Sequence, residues 1–270
     1  KQLLPVISKP TMKVLLKVPG INRILFKKIR EKLGTSFGGN FKELVIGGAA
    51  FNADAEKFFR KIGMRYAVGY GMTECGPLIC YDGWKTARYA SCGKPVDTLE
   101  VKIDSPDPQK VVGEIILRGD NVMLGYYKNE KATKEVIDED GWMHTGDLGV
   151  IDKDGYIYIK GRSKDMLLGP SGKNIYPEEI ESLINNYKYV TEAVVISEGD
   201  KLVGLIYPDY EALRNAGIGE DGLAAALDTI RKDINGKLPD YMNVTKFRVH
   251  PEEFAKTPKK SIKRYLYMKD

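Results

Sequence analysis

One stretch constrains this chain more than any other: residues 140–168, which read DGWMHTGDLGVIDKDGYIYIKGRSKDMLL. Two short runs, 149–152 and 156–160, flank Asp152-Lys153-Asp154-Gly155, a tetrapeptide suited to a tight reversal, so the stretch reads as a hairpin. Its polar residues gather at the two ends. Asp147 follows the tight Gly146, and a carboxylate there can accept two hydrogen bonds from a pair of vicinal hydroxyls. Arg162, one hairpin later, can reach the same sugar or a phosphate beside it. The arrangement has the shape of a nucleotide site, although Gly-Asp is also an ordinary turn dipeptide.

Upstream, residues 41–68 read as a βαβ unit. Leu44-Val45-Ile46 is a short buried strand, Asn52 caps a helix over 53–62 that stops at Gly63, and a second strand covers 65–68. A right-handed crossover makes the two strands parallel, so their carboxyl ends share one edge. Gly47-Gly48-Ala49 leaves one strand there and Gly69-Tyr70-Gly71-Met72-Thr73-Glu74 leaves the other, where open α/β sheets bind ligands. Within YGMTE, Tyr70 offers a flat face for a base and Gly71 lets the backbone approach a ligand. Thr73 can donate a hydroxyl to phosphate, and Glu74 can hold magnesium. The same five residues also suit a strand that ends in a plain turn with Tyr70 half-buried.

Taken together, YGMTE, HTGD and GRSKD resemble the signature motifs of the adenylate-forming (AMP-binding) superfamily of acyl-CoA synthetases, luciferases and peptide-synthetase adenylation domains. The GWMHTGD opening is most similar to the long-chain fatty-acid–CoA ligases. The resemblance implies the following roles. Gly47, Gly48 and Ala49 line the adenine pocket, Tyr70, Gly71 and Thr73 contact adenine and the α-phosphate, and Glu74 serves Mg2+. Asp147 binds the ribose of ATP with help from Arg162, and Lys164 is the hinge between two domains. The loop at 168–174 is similar to the family's glycine loop, which places Gly172 at the pantetheine tunnel; its composition equally suits a flexible turn before a helix. Residues 257–264 resemble the family's last motif, in which a Lys directly before the Ile bridges the acyl carboxylate and the α-phosphate. Ser261 stands in that place, and a neutral hydroxyl supplies no cation to the charge that develops at phosphorus. Lys260 is expected to take over through a slipped loop, with Lys259 the second choice, so Thr73, Glu74 and Lys260 form the expected catalytic set.

The implied fold is α/β plus α+β: residues 1–90 belong to the end of a parallel-sheet adenylating domain, 91–163 form a small β-barrel subdomain, and 164–270 form a small mobile C-terminal α+β domain after the hinge at Lys164. Local patterns agree. Residues 99–103 alternate as a strand, 113–118 give another, and 104–109 with Pro106 and Pro108 connect them. NVMLGYY at 121–127 precedes a helix over 130–137 and reads as packing. Beyond Lys164, helices are expected at 177–187 and 221–235, strands at 192–197, 201–207 and 246–249, and a terminal helix from Ser261.

Composition narrows the function classes. At 270 residues, 43% apolar and 29% charged, the chain has room for one large or two ordinary globular domains. A formal charge of +5, with basic residues not interleaved with stacking aromatics, argues against nucleic acid as a partner. Residues 1–32 carry nine basic side chains against the single acid Glu31, in an amphipathic pattern broken at Pro19-Gly20. A solvated helix face is the simplest reading; peripheral membrane contact and steering of CoA phosphates are the functional ones. Cys75, Cys80 and Cys92 are odd in number and lack metal-type spacing, which suits a reduced, cytoplasmic setting, with membrane association left open. No apolar run approaches the roughly 18 residues of a spanning helix. The start at Lys1 and the missing Ser/Thr/Gly-rich phosphate loop read as a carboxyl-terminal piece of the family's full length.

The expected function is therefore ATP-dependent activation of a long-chain fatty acid to its acyl-adenylate and transfer to CoA, giving acyl-CoA, AMP and pyrophosphate. Fatty acid, ATP and coenzyme A are the expected partners, with Mg2+ accompanying ATP/AMP. Oligomerisation through an N-terminal part stays open. Because the acid arrives already ionised, no general base is required, and His144 is assigned a structural or pocket-wall role. Two other readings stay open: a ligase for a carrier protein or another acid, and a non-catalytic nucleotide-binding module. The 270 residues alone are expected to be inactive as a ligase.

Overall fold

The computed structural model describes residues 24–40, 42–169, 172–258 and 261–268. The basic segment up to Arg23, with its Pro19-Gly20 break, lies outside the described residues, as do Lys259 and Lys260. The described residues group into two compact units. One holds the residues up to Val101 with Leu117–Met143 and Ile151–Tyr158; the other holds Lys102–Ile116, His144–Val150 and the chain from Ile159 onward.

In the first unit, helix α1 (Lys27–Ser36) is followed by strand β1 (Leu44–Ile46), helix α2 (Ala53–Ile62) and strand β2 (Tyr66–Val68). The helix forms where its caps dictate. Asn52 Oδ1 accepts from the amides of Asp54 and Ala55 at 3.1 and 3.0 Å, and Gly63 closes the other end in the left-handed conformation at φ +70°. Strands β1 and β2 run parallel, with Leu44 opposite Tyr66 and Ile46 opposite Val68. Phe26, Ile62 and Met64 are buried together, with Phe58 and Phe59 packed against them. Glu56, 2% exposed, accepts the Tyr66 hydroxyl at 2.8 Å and the Ala90 amide at 3.1 Å, which ties the following loop to the helix. Burial, with the Glu56 partnership behind it, pushes the Tyr66 phenol up to about 12.

Three short strands follow as one antiparallel sheet: β3 (Tyr70–Gly71), β4 (Leu78–Tyr81) and β5 (Lys94–Pro95). Then come β6 (Leu99–Asp104), β7 (Gly113–Gly119), helix α3 (Glu130–Val136), β8 (Met143–Ile151) and β9 (Ile157–Arg162), with sheet order β6-β7-β8-β9. The described strands form no closed barrel. The two outer strands of this sheet do not pair with each other, and the two-residue β5 is committed to β4. The expected reversal at 152–155 is present: the Asp152 amide donates to the Tyr156 carbonyl at 2.9 Å. Arg88 fixes the turn by ion pairs of 2.7 Å to both Asp152 and Asp154.

In the second unit, a two-stranded hairpin of β10 (Leu167–Leu168) and β11 (Asn174–Ile175) leads into helix α4 (Pro177–Ile184). Pro177 sits in its first turn, where a missing amide hydrogen costs nothing. Strands β12 (Val190–Glu198), β13 (Lys201–Pro208) and β14 (Val244–Val249) make one sheet, antiparallel and then parallel, and helices α5 (Tyr210–Asn215) and α6 (Glu220–Asn235) precede β14. One face of this sheet packs Val195 and Ile206 against Ile180, Ile184, Leu227 and Ile234; the other packs Val194, Ile196, Val203 and Leu205 around Phe254. The terminal helix expected from Ser261 is a single 3-10 turn at Arg264–Leu266. Helix is ruled out there because Ile262 bridges Lys256 in extended pairing and the Lys263 amide donates to the Ala255 carbonyl at 2.8 Å.

Candidate functional site

The carboxyl ends of β1 and β2 bring the two glycine loops of the first unit together. The Gly69 amide donates to the Ile46 carbonyl at 2.8 Å, and a Cβ on Gly47 would stand 3.1 Å from the Gly69 carbonyl oxygen. Gly47, Gly48 and Ala49 are exposed, and Gly48 has φ +83°. Tyr70 is buried at 8% exposure and pairs with Cys80, whereas Thr73 is exposed in the 3-10 turn Thr73–Cys75. Gly71 has a packing reason the sequence did not disclose: a Cβ there would meet the Pro77 carbonyl oxygen at 2.0 Å. Close approach is required, and the approaching group is the chain's own backbone.

Behind this turn lies the 121–127 segment. The Asn121 side-chain amide donates to the Cys75 and Leu78 carbonyls at 2.9 and 3.0 Å, and the Met123 amide donates to the Glu74 carbonyl at 2.8 Å. The Tyr126 hydroxyl donates to Glu74 Oε1 at 3.0 Å, so the segment aims the carboxylate; the packing expected of it is not seen, because Leu124, Tyr126 and Tyr127 are exposed. Partial burial and the Glu74 hydrogen bond both hold the Tyr126 phenol above its ordinary value. Cys75 is buried beside Glu74, and burial together with that carboxylate raises its thiol to about 11. It is no nucleophile at neutral pH.

Among the described residues no group of three or more metal-type side chains gathers. Glu74 thus belongs to no set of three or more such ligands among the described residues. That fits a magnesium ion that arrives with nucleotide phosphates and keeps much of its water, and does not fit a protein-caged metal.

In the second unit, Asp147 is 6% exposed on β8 and its Oδ1 lies 3.0 Å from Arg162 Nε at the end of β9. The two residues expected to reach one sugar are ion-paired with each other. The Thr145 hydroxyl donates to the Ile115 carbonyl at 2.7 Å and accepts from the Asp147 amide at 3.0 Å. His144 Nδ1 lies 2.8 Å from Glu114 Oε2, which agrees with a structural role. Lys164 is exposed in the 3-10 turn Ser163–Asp165, directly after β9. Gly172 is exposed between β10 and β11 with φ +71°, its amide donating to the Gly169 carbonyl at 2.9 Å. The terminal loop is closed by the Thr257 amide donating to the Ser261 carbonyl at 2.8 Å, and Ser261 is exposed. The replacement lysine expected at Lys260 lies outside the described residues.

Sequence reasoning missed the charged centre of the second unit. Arg264 donates to both oxygens of Glu181 at 2.6 and 2.7 Å and to the Val195 carbonyl at 3.1 Å, and Asp165 stands 3.9 Å away. Burial alone would pull the guanidinium down, but the Glu181 pairing outweighs it and holds Arg264 above its ordinary value. A run of like charges such as Glu178-Glu179-Ile180-Glu181 carries no mark of which carboxylate turns inward.

Two glycine loops at the carboxyl edge of a parallel βαβ unit, and separately an Asp-Arg pair on a later hairpin, are parts by which α/β enzymes handle nucleotides. The profile of the AMP-binding enzymes matches residues 1–127, and that of the AMP-binding enzyme C-terminal domain matches residues 164–270. The chain belongs to the AMP-binding enzyme family, the adenylate-forming ligases. It is 32% identical over 263 residues to the long-chain-fatty-acid–CoA ligase FadD15 of Mycobacterium bovis, covering 90% of this chain and 42% of that protein. It is 34% identical over 205 residues to the long-chain-fatty-acid–[acyl-carrier-protein] ligase AEE15 of Arabidopsis thaliana, covering 70% of this chain and 28% of that protein. Among solved structures, the O-succinylbenzoate coenzyme A synthetase (MenE) of Bacillus subtilis in complex with AMP superposes with a TM-score of 0.70 at 25% identity, over 90% of this chain and 49% of that one. The same enzyme with ATP and magnesium ion also gives 0.70, at 25% identity over 87% of this chain and 49% of that one. The chain spans less than half the length of these relatives.

Proposed function

We propose that this chain serves the ATP-dependent activation of a long-chain fatty acid and its transfer to coenzyme A. The observation that carries the reading is the buried Asp147 carboxylate on β8, held by Arg162 at 3.0 Å. In the proposed roles Asp147 accepts hydrogen bonds from the ribose hydroxyls, Tyr70 and the Gly47-Gly48-Ala49 loop take adenine, and the Thr73 hydroxyl donates to the α-phosphate. Glu74, aimed by Tyr126, is the carboxylate for the magnesium that travels with ATP. The fatty carboxylate oxygen bonds to the α-phosphorus as the bond to pyrophosphate breaks. The CoA thiol then gives its proton to solvent, its sulfur bonds to the acyl carbon, and the acyl–phosphate bond breaks as AMP departs. Neither step asks the protein for more than positioning and charge compensation.

Lys164 is proposed as the hinge that exchanges the terminal loop for the Gly172 loop between the two steps. In the first step a lysine of the terminal loop supplies the cation that Ser261 cannot. Removing such a contact costs on the order of a hundredfold in rate. Pyrophosphate release should therefore fall by about that factor in Lys260→Ala, with Lys259→Ala and Lys263→Ala much less affected. Equal, near-normal rates in all three variants would remove the slipped-loop assignment.

Likeness to a CoA ligase over 90% of the chain supports CoA as acceptor, and likeness to a carrier-protein ligase over 70% keeps acyl-carrier protein as the second reading. The reduced thiols and the absence, among the described residues, of a helix long and apolar enough to cross a membrane are compatible with the cytoplasm. Titration of AMP into the protein at its full natural length tests the ribose assignment. Asp147→Ala should weaken AMP binding by about tenfold or more, the scale of lost charge-assisted hydrogen bonds. Unchanged affinity would refute it. The 270 residues alone should release no pyrophosphate.

A further inference from the structure

Glu114 attracts no attention in the sequence, yet both of its carboxylate oxygens are engaged at the candidate ribose site. It is the second residue of β7, the neighbour of β8 in the sheet. Oε1 accepts from the Gly146 amide at 2.8 Å, and Oε2 lies 2.8 Å from His144 Nδ1. One residue on, the Ile115 carbonyl accepts the Thr145 hydroxyl at 2.7 Å. Every residue from His144 to Gly146 is thus tied to two consecutive positions of β7. Such ties are needed here because Gly146 has φ +70°, and glycine by itself leaves that conformation as readily as it enters it. The Glu114 side chain is only 26% exposed, so its charge-assisted bond to the amide is poorly served by competing water.

We propose that Glu114 is a positioning residue for nucleotide: through the Gly146 amide and the His144 imidazole it fixes the backbone that carries Asp147. The inference rests on Asp147 being the ribose ligand. Arg162 holds the carboxylate at 3.0 Å and Glu114 holds the β8 backbone one residue before it, so the acceptor is set before the sugar arrives. Without Glu114 the backbone at Gly146 samples other conformations, and apparent affinity falls by the fraction of time spent in them.

The test is AMP titration calorimetry on the protein at its full natural length, with Glu114→Ala, Glu114→Gln, Asp147→Ala and the Glu114→Ala/Asp147→Ala pair. Glu114→Ala should weaken AMP by about five- to tenfold, and the double variant should bind no worse than Asp147→Ala, because a residue that acts only through that backbone has nothing left to position. Glu114→Gln should recover most of the affinity, since its amide oxygen still accepts from Gly146. Glu114→Ala with lowered melting temperature but unchanged AMP affinity would reduce Glu114 to a stabilising residue. Effects that multiply in the double variant would overturn the coupling. If Asp147→Ala itself leaves AMP affinity intact, the ribose assignment fails and this inference falls with it.

Discussion

Glu178 sits in the first turn of α4 with its Oε2 buried and without a hydrogen-bond partner among the described residues. A Cβ on Gly161 would lie 2.9 Å from that oxygen, so any larger residue at 161 would have to displace the Glu178 carboxylate. Burial holds the Glu178 carboxyl above its ordinary value of 4.5, opposed by its own backbone amide and by Arg264 and reinforced by Glu181 and Asp165. The folded chain therefore binds this proton more tightly than the unfolded chain. The stabilisation is fully present below pH 4.5 and is lost as pH rises through the folded-state value. Glu178→Gln should melt about 2–4 °C higher than the parent at pH 7–8, with the gap closing towards pH 4. A gap that stays constant across that range would contradict the assignment. At this scale the sequence was legible where a residue's role is local. Asp147 and Arg162 were legible as neighbours because a single hairpin return separates them, although Gly146-Asp147 lies in strand β8 and is no turn. Glu114 was not, because its partners lie across a strand pair and nothing near it in sequence requires a carboxylate.

Elements with their own punctuation were legible as well. Asn52 and Gly63 bound α2 without help from anything distant, and the parallel pairing of β1 and β2 follows from the crossover they enclose. Short strands were not. The two residues of β3 and of β10 become strands only because Cys80 and Ile175 lie opposite them, and that is tertiary information. The terminal segment failed for a related reason. Its apolar and basic residues have helical spacing, but the Arg264 side chain is committed to Glu181 and the chain before it is paired in extended form. Arg264 and Glu181 form an almost fully buried ion pair, each side chain 11% exposed. Losing one partner from such a pair strands the other charge, at a cost of about 3–5 kcal/mol. Arg264→Met should destabilise the protein by that amount in denaturant unfolding, with a lowered midpoint. A loss below about 1 kcal/mol, the scale of an exposed pair, would show that the centre of the second unit is not organised by charge.

For the whole molecule, family membership joins what the separate units display. The first carries the glycine loops and the YGMTE turn; the second carries Asp147, Arg162 and the Gly172 loop. The order of the three signatures was readable from sequence, because they fall in chain order whatever their spacing; their grouping was not, since residues 91–163, with Asp147 and Arg162, were expected as one subdomain ahead of Lys164. Substrate identity was not readable in the same way, since relatives act on acids as unlike as long-chain fatty acids and O-succinylbenzoate. The central claim is that these residues serve acid-dependent adenylation. Its most direct test is release of pyrophosphate from ATP by the protein at its full natural length, across carboxylic acids from acetate to palmitate and including O-succinylbenzoate, with and without CoA. Release that requires an acid, peaks with the long chains and yields acyl-CoA only when CoA is present is the predicted result. Pyrophosphate release indifferent to any acid, or none with any of them, would contradict it.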